Sequence, residues 1–187
     1  MCAMVREISA GGVVLREIEG VWHVALIEPQ KEDSRESDSS SDDPQPVKAP
    51  RKRARAVLCL PKGLVDAGEK AEAAAIREVF EETGIVAEAV TKLVDIKYVY
   101  VRSWGDGQRV FKIVSFYLMK YLSGDIGDIT PEMRIEVERA LWVPLAGANK
   151  QMAYGGERKV VLQAEEYLAE HGLAAKQHFS RRPKSGR

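Results

Sequence analysis

Alternating and continuous apolar runs divide the chain into elements. SAGGVVLRE (Ser9 to Glu17) and VWHVALI (Val21 to Ile27) read as two strands joined by a tight turn at Glu19-Gly20. Val57 to Leu60 reads as a short buried strand closed by Pro61. LPKGLVDAGE reads as a loop, punctuated by Pro61, Gly63 and Gly68. A helix is predicted from about Lys70 to Thr83, ended by Gly84. Val86 to Val94, Ile96 to Arg102, Val110 to Tyr121 and Glu136 to Val143 read as further strands, with a turn at Trp104 to Gly107. Glu157 to His171 is amphipathic, with Val160, Val161, Ala164, Tyr167 and Leu168 at helical spacing. Strands with two clear helices place the chain in the α/β class, built in layers.

Between the second and third of these strands the pattern stops. Glu32 to Asp43 holds only Ser, Asp, Glu and Arg, and Val47 to Arg55 is basic and broken by proline. Such a stretch buries too little to offset the entropy of ordering, so residues 30–54 are expected to form a disordered insertion. Residues 1–172 are expected to form one domain, with residues 173–187 as a disordered basic tail.

Of the 187 residues 45% are hydrophobic, enough for a sizeable core. Lys plus Arg and Asp plus Glu number 28 each, a balance that argues against a general nucleic-acid binder. No apolar run approaches the ~18 residues that span a bilayer. Cys2 and Cys59 form neither a disulfide framework nor a zinc spacing, which fits a reducing, cytoplasmic setting.

The chemistry concentrates on the first helix. Glu78, Glu81 and Glu82 stand at i, i+3 and i+4 and share one face. Ala73, Ile76 and Phe80 fall near the opposite side, the side expected to meet the core. Three carboxylates so placed repel one another, and burial would push protons onto them. A hard divalent cation resolves the conflict, and Mg²⁺ or Mn²⁺ suits carboxylate oxygens. Arg77 can hold a carboxylate in two-pronged geometry. Gly63 and Gly68 permit turns that other residues resist. A carbonyl of the Lys62–Gly63 turn could complete a metal shell, and Glu69 opens the helix where a negative charge is favoured. No Ser-His-Asp or Cys-His arrangement competes.

Gly63, five residues, Glu69, seven residues, Arg77-Glu78-Val79, one residue, Glu81-Glu82, one residue and Gly84-Ile85 together resemble the signature of the Nudix hydrolases. At ~6–7% per residue type a chance match is on the order of one window in 10⁹. SAGGVVL, LPKG, FKIVSFYL and EVERALWVPL resemble the family's flanking core, so the resemblance covers about residues 8–170 and departs from it at the insertion. It implies an α/β/α sandwich with a central mixed β-sheet. It implies that Glu78, Glu81 and Glu82 bind Mg²⁺, or Mn²⁺, with the Lys62 carbonyl available to the metal. Arg77 would orient the glutamates, Glu69 would support the metal site or the loop, and Gly63 and Gly84 would keep the motif's shape. One further acidic residue outside the box is expected. Glu136 and Glu138 are the candidates, and Glu136 resembles the family position better. Glu136 or a box glutamate would act as general base.

The implied reaction is hydrolysis of a phosphoanhydride bond in a nucleoside diphosphate-linked substrate. Leu60-Pro61-Lys62-Gly63 resembles the branch acting on diadenosine and other nucleoside polyphosphates, which favours dinucleoside polyphosphates or (modified) nucleoside triphosphates. ADP-ribose, RNA 5′-pyrophosphate and inositol pyrophosphate remain open, as does a non-catalytic Nudix binding module. The partner is a small-molecule nucleotide, with RNA 5′ ends the one nucleic-acid possibility and no membrane. Lys62 and Lys112 are candidate phosphate contacts, although Lys112 could equally face water. Tyr98, Tyr100, Trp104 and Tyr154 are candidate stacking faces, Tyr154 in a loop that could close over substrate.

Overall fold

The computed structural model describes residues 5–30, 57–101 and 107–173. The expected insertion (beyond Gln30), Trp104, the basic run Arg51 to Arg55 and all but Leu173 of the expected tail lie outside the described residues. Among the described residues six strands form one mixed sheet in the order β4-β5-β1-β2-β6, with β3 paired to β1. They are β1 (Val5–Ile18), β2 (Val21–Pro29), β3 (Lys62–Leu64), β4 (Val86–Val101), β5 (Arg109–Ser123) and β6 (Val137–Pro144). The helices are α1 (Ala71–Thr83) and α2 (Gly155–His171). This is the expected α/β sandwich.

The long β1 organises the sheet. It runs parallel to β5 from Val5 to Leu15. Its other edge is shared: β3 pairs at Ser9 to Gly11 and β2 at Leu15 to Ile18. Glu19 and Gly20 both carry positive φ, 50° and 78°, the backbone of a two-residue hairpin that follows the strand twist. Alternation sends Val13, Leu15, Val114, Phe116 and Leu118 into the core under α2. Ala10, Val14, Tyr117 and Met119 go to the core under α1.

Four expectations change. Val57 to Leu60, expected as a short buried strand, makes only isolated bridges, Cys59 with Ile27 and Leu58 with Met152, and Val57 is exposed. Val86 to Arg102 was expected as two strands; its described part, Val86–Val101, forms one, β4, with register shifts at Ala89/Thr91 and Lys92/Val94 that take up the break in alternation. Lys62–Leu64, expected as loop, is a strand, because the edge of β1 offers it ladder bonds that no local pattern announces. The core side of α1 is also different. Ala74, Ala75, Glu78, Val79, Glu82 and Thr83 are buried, whereas Phe80 is 46% exposed and Ala73 faces out. Two of the three box carboxylates thus lie on the edge of the buried arc rather than opposite it.

Candidate active site

The loop before α1 and the helix itself are tied together by one side chain. Arg77 Nη1 donates to Glu78 Oε1 at 2.8 Å and to Glu81 Oε2 at 3.0 Å. Its Nε and Nη2 grip both oxygens of Glu69 at 3.1 and 3.0 Å. Nη2 also donates to the Leu64 carbonyl at 3.0 Å. Glu69 Oε2 in turn accepts the Asp66 N–H at 3.1 Å, which closes the loop. These bonds, Glu69's foremost, hold the guanidinium charged and pull the Glu69 carboxyl below its ordinary value.

Glu82 is reached from β3. Its Oε2 accepts the backbone N–H of Lys62 at 2.8 Å. Glu78 and Glu82 are each only 5% exposed. Burial pushes the Glu82 carboxyl up to about 8, opposed by Lys62 and reinforced by Glu78 and Glu136. Burial also raises Glu78 above its ordinary value, against the pull of Arg77. The far end of α1 is fixed by backbone. Gly84 adopts φ 77°, and its N–H caps Phe80 at 2.8 Å. A Cβ on Gly84 would lie 2.6 Å from the Asp128 carbonyl, so close approach as well as φ demands glycine there. The Thr130 N–H donates to the Glu81 carbonyl at 3.1 Å, which docks the segment leading to the 3₁₀ turn Met133–Ile135. Glu136 ends that turn, its carbonyl accepting the Gln30 N–H at 2.7 Å.

The structure therefore brings Glu78, Glu81, Glu82 and Glu136 to one cavity of about 700 Å³. Glu138 is exposed and does not line it. Glu7, Tyr100 and Lys112 line the same cavity. Lys112 Nζ lies 3.7 Å from Glu7 Oε2, which also accepts the Tyr100 hydroxyl at 3.0 Å. Burial lowers the Lys112 ammonium from its ordinary value, partly offset by Glu7. Glu7 escaped the sequence reading because it precedes the run that marked the first strand.

Gly63 has a different task from the one expected. Its φ is not positive, and it sits within β3 rather than in a turn. Its missing side chain faces Glu78: a Cβ there would overlap the Glu78 carboxylate. Strand alternation then turns the Lys62 side chain to the other face. Its ammonium lies 3.2 Å from Glu157 Oε1 and 3.4 Å from the Leu60 carbonyl. It is thus engaged on the α2 side, not aimed at the box. Burial works against that charge, but Glu157 overrides it and raises the Lys62 ammonium's affinity for its proton.

Lys62 also borders a second cavity, of about 440 Å³, walled by Ile96, Tyr98, Val114, Phe116 and Tyr154 and floored by Glu157. Of the four candidate stacking faces, Tyr98 and Tyr154 line this cavity and Tyr100 lines the acidic one.

The donor set suits a hard divalent ion: carboxylate oxygens on Glu78, Glu81 and Glu82, with burial raising the proton affinity of Glu78 and Glu82 despite Arg77 and Lys62 nearby. Among the described residues no three such side chains yet converge closely enough to hold an ion. Arg77 takes one oxygen of Glu78 and one of Glu81, and the Lys62 N–H takes one of Glu82, which leaves each of the three carboxylates a second oxygen for an ion.

An acidic centre on the first helix of a mixed-sheet sandwich is the class of protein that fold and site define. The NUDIX domain family model matches residues 45–164, and the chain belongs to the Nudix family. It is 40% identical over 117 residues to a putative mutator protein MutT4 of Mycobacterium tuberculosis, covering 63% of this chain and 44% of that protein. It is 32% identical over 102 residues to an 8-oxo-(d)GTP phosphatase of Mycolicibacterium smegmatis, covering 54% of this chain and 28% of that one. The chain thus spans less than half the length of these curated relatives. Its fold is similar to an Ap4A hydrolase of C. elegans (TM-score 0.58, 23% identity, 87% of this chain and 98% of that one). It is also similar to a MutT NUDIX hydrolase of Burkholderia pseudomallei (TM-score 0.54, 22% identity, 84% and 97%). Among the described residues no helix is long and apolar enough to cross a membrane.

Proposed function

We propose that this protein is a divalent-metal-dependent pyrophosphohydrolase that cleaves a phosphoanhydride bond of a nucleoside triphosphate or dinucleoside polyphosphate. The observation that carries the reading is the junction of two cavities at Lys62, one acidic, one apolar and aromatic. A polyphosphate suits the first with its metal, and a nucleobase suits the second, between Tyr98 and Tyr154. The names of the relatives, a mutator protein, an 8-oxo-(d)GTP phosphatase and an Ap4A hydrolase, favour the same substrate class.

Glu78, Glu81 and Glu82 would hold Mg²⁺ or Mn²⁺, which when bound neutralises phosphate charge and acidifies the attacking water. Arg77 keeps the glutamates in register. Lys112, which lines the same cavity, is the residue we assign to phosphate contact. Glu136 lines the same cavity outside the Arg77 network and is the residue we assign as general base.

The test is a panel of nucleoside triphosphates, dinucleoside polyphosphates, ADP-ribose, inositol pyrophosphate and 5′-triphosphorylated RNA with Mg²⁺ in ¹⁸O-water, with products identified by mass. Turnover of the first two classes is expected, and the label marks the phosphorus attacked. Absence of hydrolysis of every member, with Mn²⁺ as well, would overturn the reading. Removing the Tyr154 ring by Tyr154→Ala is expected to raise KM roughly 2- to 12-fold, the worth of a stacked ring at about 0.5–1.5 kcal/mol, with kcat little changed.

A pH dependence follows from Glu82. In the metal-free protein its folded pKa, about 8, lies above the ordinary 4.5. Between those values the folded state keeps a proton that the unfolded chain releases. Stability should be full below about 4.5 and fall as pH rises to about 8, by an amount on the order of a few kcal/mol. Mg²⁺ should restore stability at pH 8 by binding the folded state. Urea unfolding at pH 5 and pH 8, with and without Mg²⁺, measures this. An unchanged pH slope in Glu82→Gln would show that the dependence arises elsewhere.

A further inference from the structure

Glu157 lies outside the acidic box, in the first turn of α2 on the other face of the sheet. It is 5% exposed. Its Oε2 accepts the Leu60 N–H at 2.7 Å, and its Oε1 lies 3.2 Å from Lys62 Nζ. Both partners flank Pro61, directly before the box. Lys62 then donates its own backbone N–H to Glu82 at 2.8 Å. One carboxylate from α2 thus clamps, on both sides of a proline, the short run of chain whose next contact is a candidate metal ligand.

Stability does not account for this arrangement. A buried ion pair gains little over an apolar pair of similar volume, because both charges must first leave water. What the pair adds is a fixed geometry. Glu157 holds the chain on both sides of Pro61, and the Pro61 carbonyl accepts the Gly12 N–H at 3.2 Å, so the Lys62 peptide between them directs its N–H at Glu82. Lys62 also borders both cavities, so the wall between them is held by the same pair.

We infer that Glu157 is a positioning residue for hydrolysis: through Leu60 and Lys62 it sets where the Glu82 carboxylate stands for the metal. The inference rests on the metal-dependent reading of the box. Partners that orient a ligand from outside its coordination shell are worth about 10- to 100-fold in affinity or activity.

Three variants test it. Glu157→Gln keeps an oxygen for the Leu60 N–H and removes the ion pair. Lys62→Met removes the ammonium and keeps the backbone N–H. The double variant removes both charges. The readouts are kcat and KM with Mg²⁺, Mn²⁺ binding to substrate-free protein by water-proton relaxation, and thermal stability. Glu157→Gln is expected to lower kcat and Mn²⁺ affinity by roughly 10- to 100-fold with a much smaller change in KM. The double variant should regain stability relative to Lys62→Met, which strands a buried carboxylate, yet remain slow and weak for Mn²⁺. A return of kcat and Mn²⁺ affinity together with stability would overturn the inference, since that is the behaviour of a merely structural pair. So would a folded Glu157→Gln with both quantities near wild type. If Glu157→Gln does not fold, Glu157→Asp, which keeps the charge but shortens its reach, is expected to show the same losses. The Mn²⁺ measurement separates the two levels. A wild-type protein that binds Mn²⁺ but hydrolyses nothing refutes the proposed function while leaving Glu157 open to decision by Mn²⁺ affinity. A wild-type protein that binds no Mn²⁺ refutes both.

Discussion

Glu82→Gln is expected to lower kcat by more than about 10²-fold while making the metal-free protein more stable at pH 8. The bound on activity comes from comparison: even groups that only orient a metal ligand are worth about 10- to 100-fold, and Glu82 is proposed as a ligand itself. The gain in stability comes from the same burial that makes the carboxylate useful. Glutamine has nearly the shape of glutamate, and its amide oxygen can still accept the Lys62 N–H that Glu82 accepts at 2.8 Å. What disappears is a buried negative charge near Glu78 and Glu136. Opposite movements of activity and stability are the mark of a group held in a costly state for function. Steady-state kinetics at saturating Mg²⁺ and urea unfolding at pH 8 measure both. Near-wild-type turnover would remove Glu82 from the machinery and with it the present assignment of the box.

Gly63→Ala is the second large effect. The backbone at this position has no positive φ, so alanine meets no conformational strain and would stiffen the unfolded chain in its own favour. The obstacle is space, since the new Cβ would overlap the Glu78 carboxylate. Glu78 must then leave its place, and with it the bond to Arg77 Nη1 at 2.8 Å. A loss of about 1–3 kcal/mol in stability is expected from the overpacking. Turnover should fall at least roughly 10-fold, because a displaced carboxylate no longer presents its oxygen to the cavity. Urea denaturation and kcat check the two parts. Full activity in a stable Gly63→Ala protein would mean that Glu78 has room to spare and that the glycine is not required by close packing.

Both residues were legible along the chain, but not for the reasons that operate. The spacing from Gly63 to Ile85 named the glutamates and the arginine, and the structure places Glu78, Glu81, Glu82 and Glu136 around one cavity. Gly63 was expected to bend a turn and instead clears space in a strand. Lys62 was expected at the phosphates; it borders both cavities, and its ammonium is paired with Glu157, whose other contact, Leu60, lies ninety-seven positions away in the chain. Nothing local distinguishes Glu157 from any acidic residue in the first turn of a helix. Glu7 lies two residues before the run that marked its strand. The aromatic candidates could not be ordered, because Tyr98 and Tyr100 sit two residues apart on one strand yet line different cavities.

Local order along the chain was enough for the helices, for most strands, for the family and for the acidic motif. Each of these depends on spacing within a single element, where the period of a helix or strand converts sequence separation into position. The division of the site into an acidic and an aromatic chamber belongs to the tertiary structure alone. It requires β1 to share one edge between β2 and β3, and α2 to return across the sheet with Glu157 beneath Lys62. Those contacts join residues far apart in the chain, and the burial that shifts Glu82 comes from their packing rather than from its neighbours in sequence.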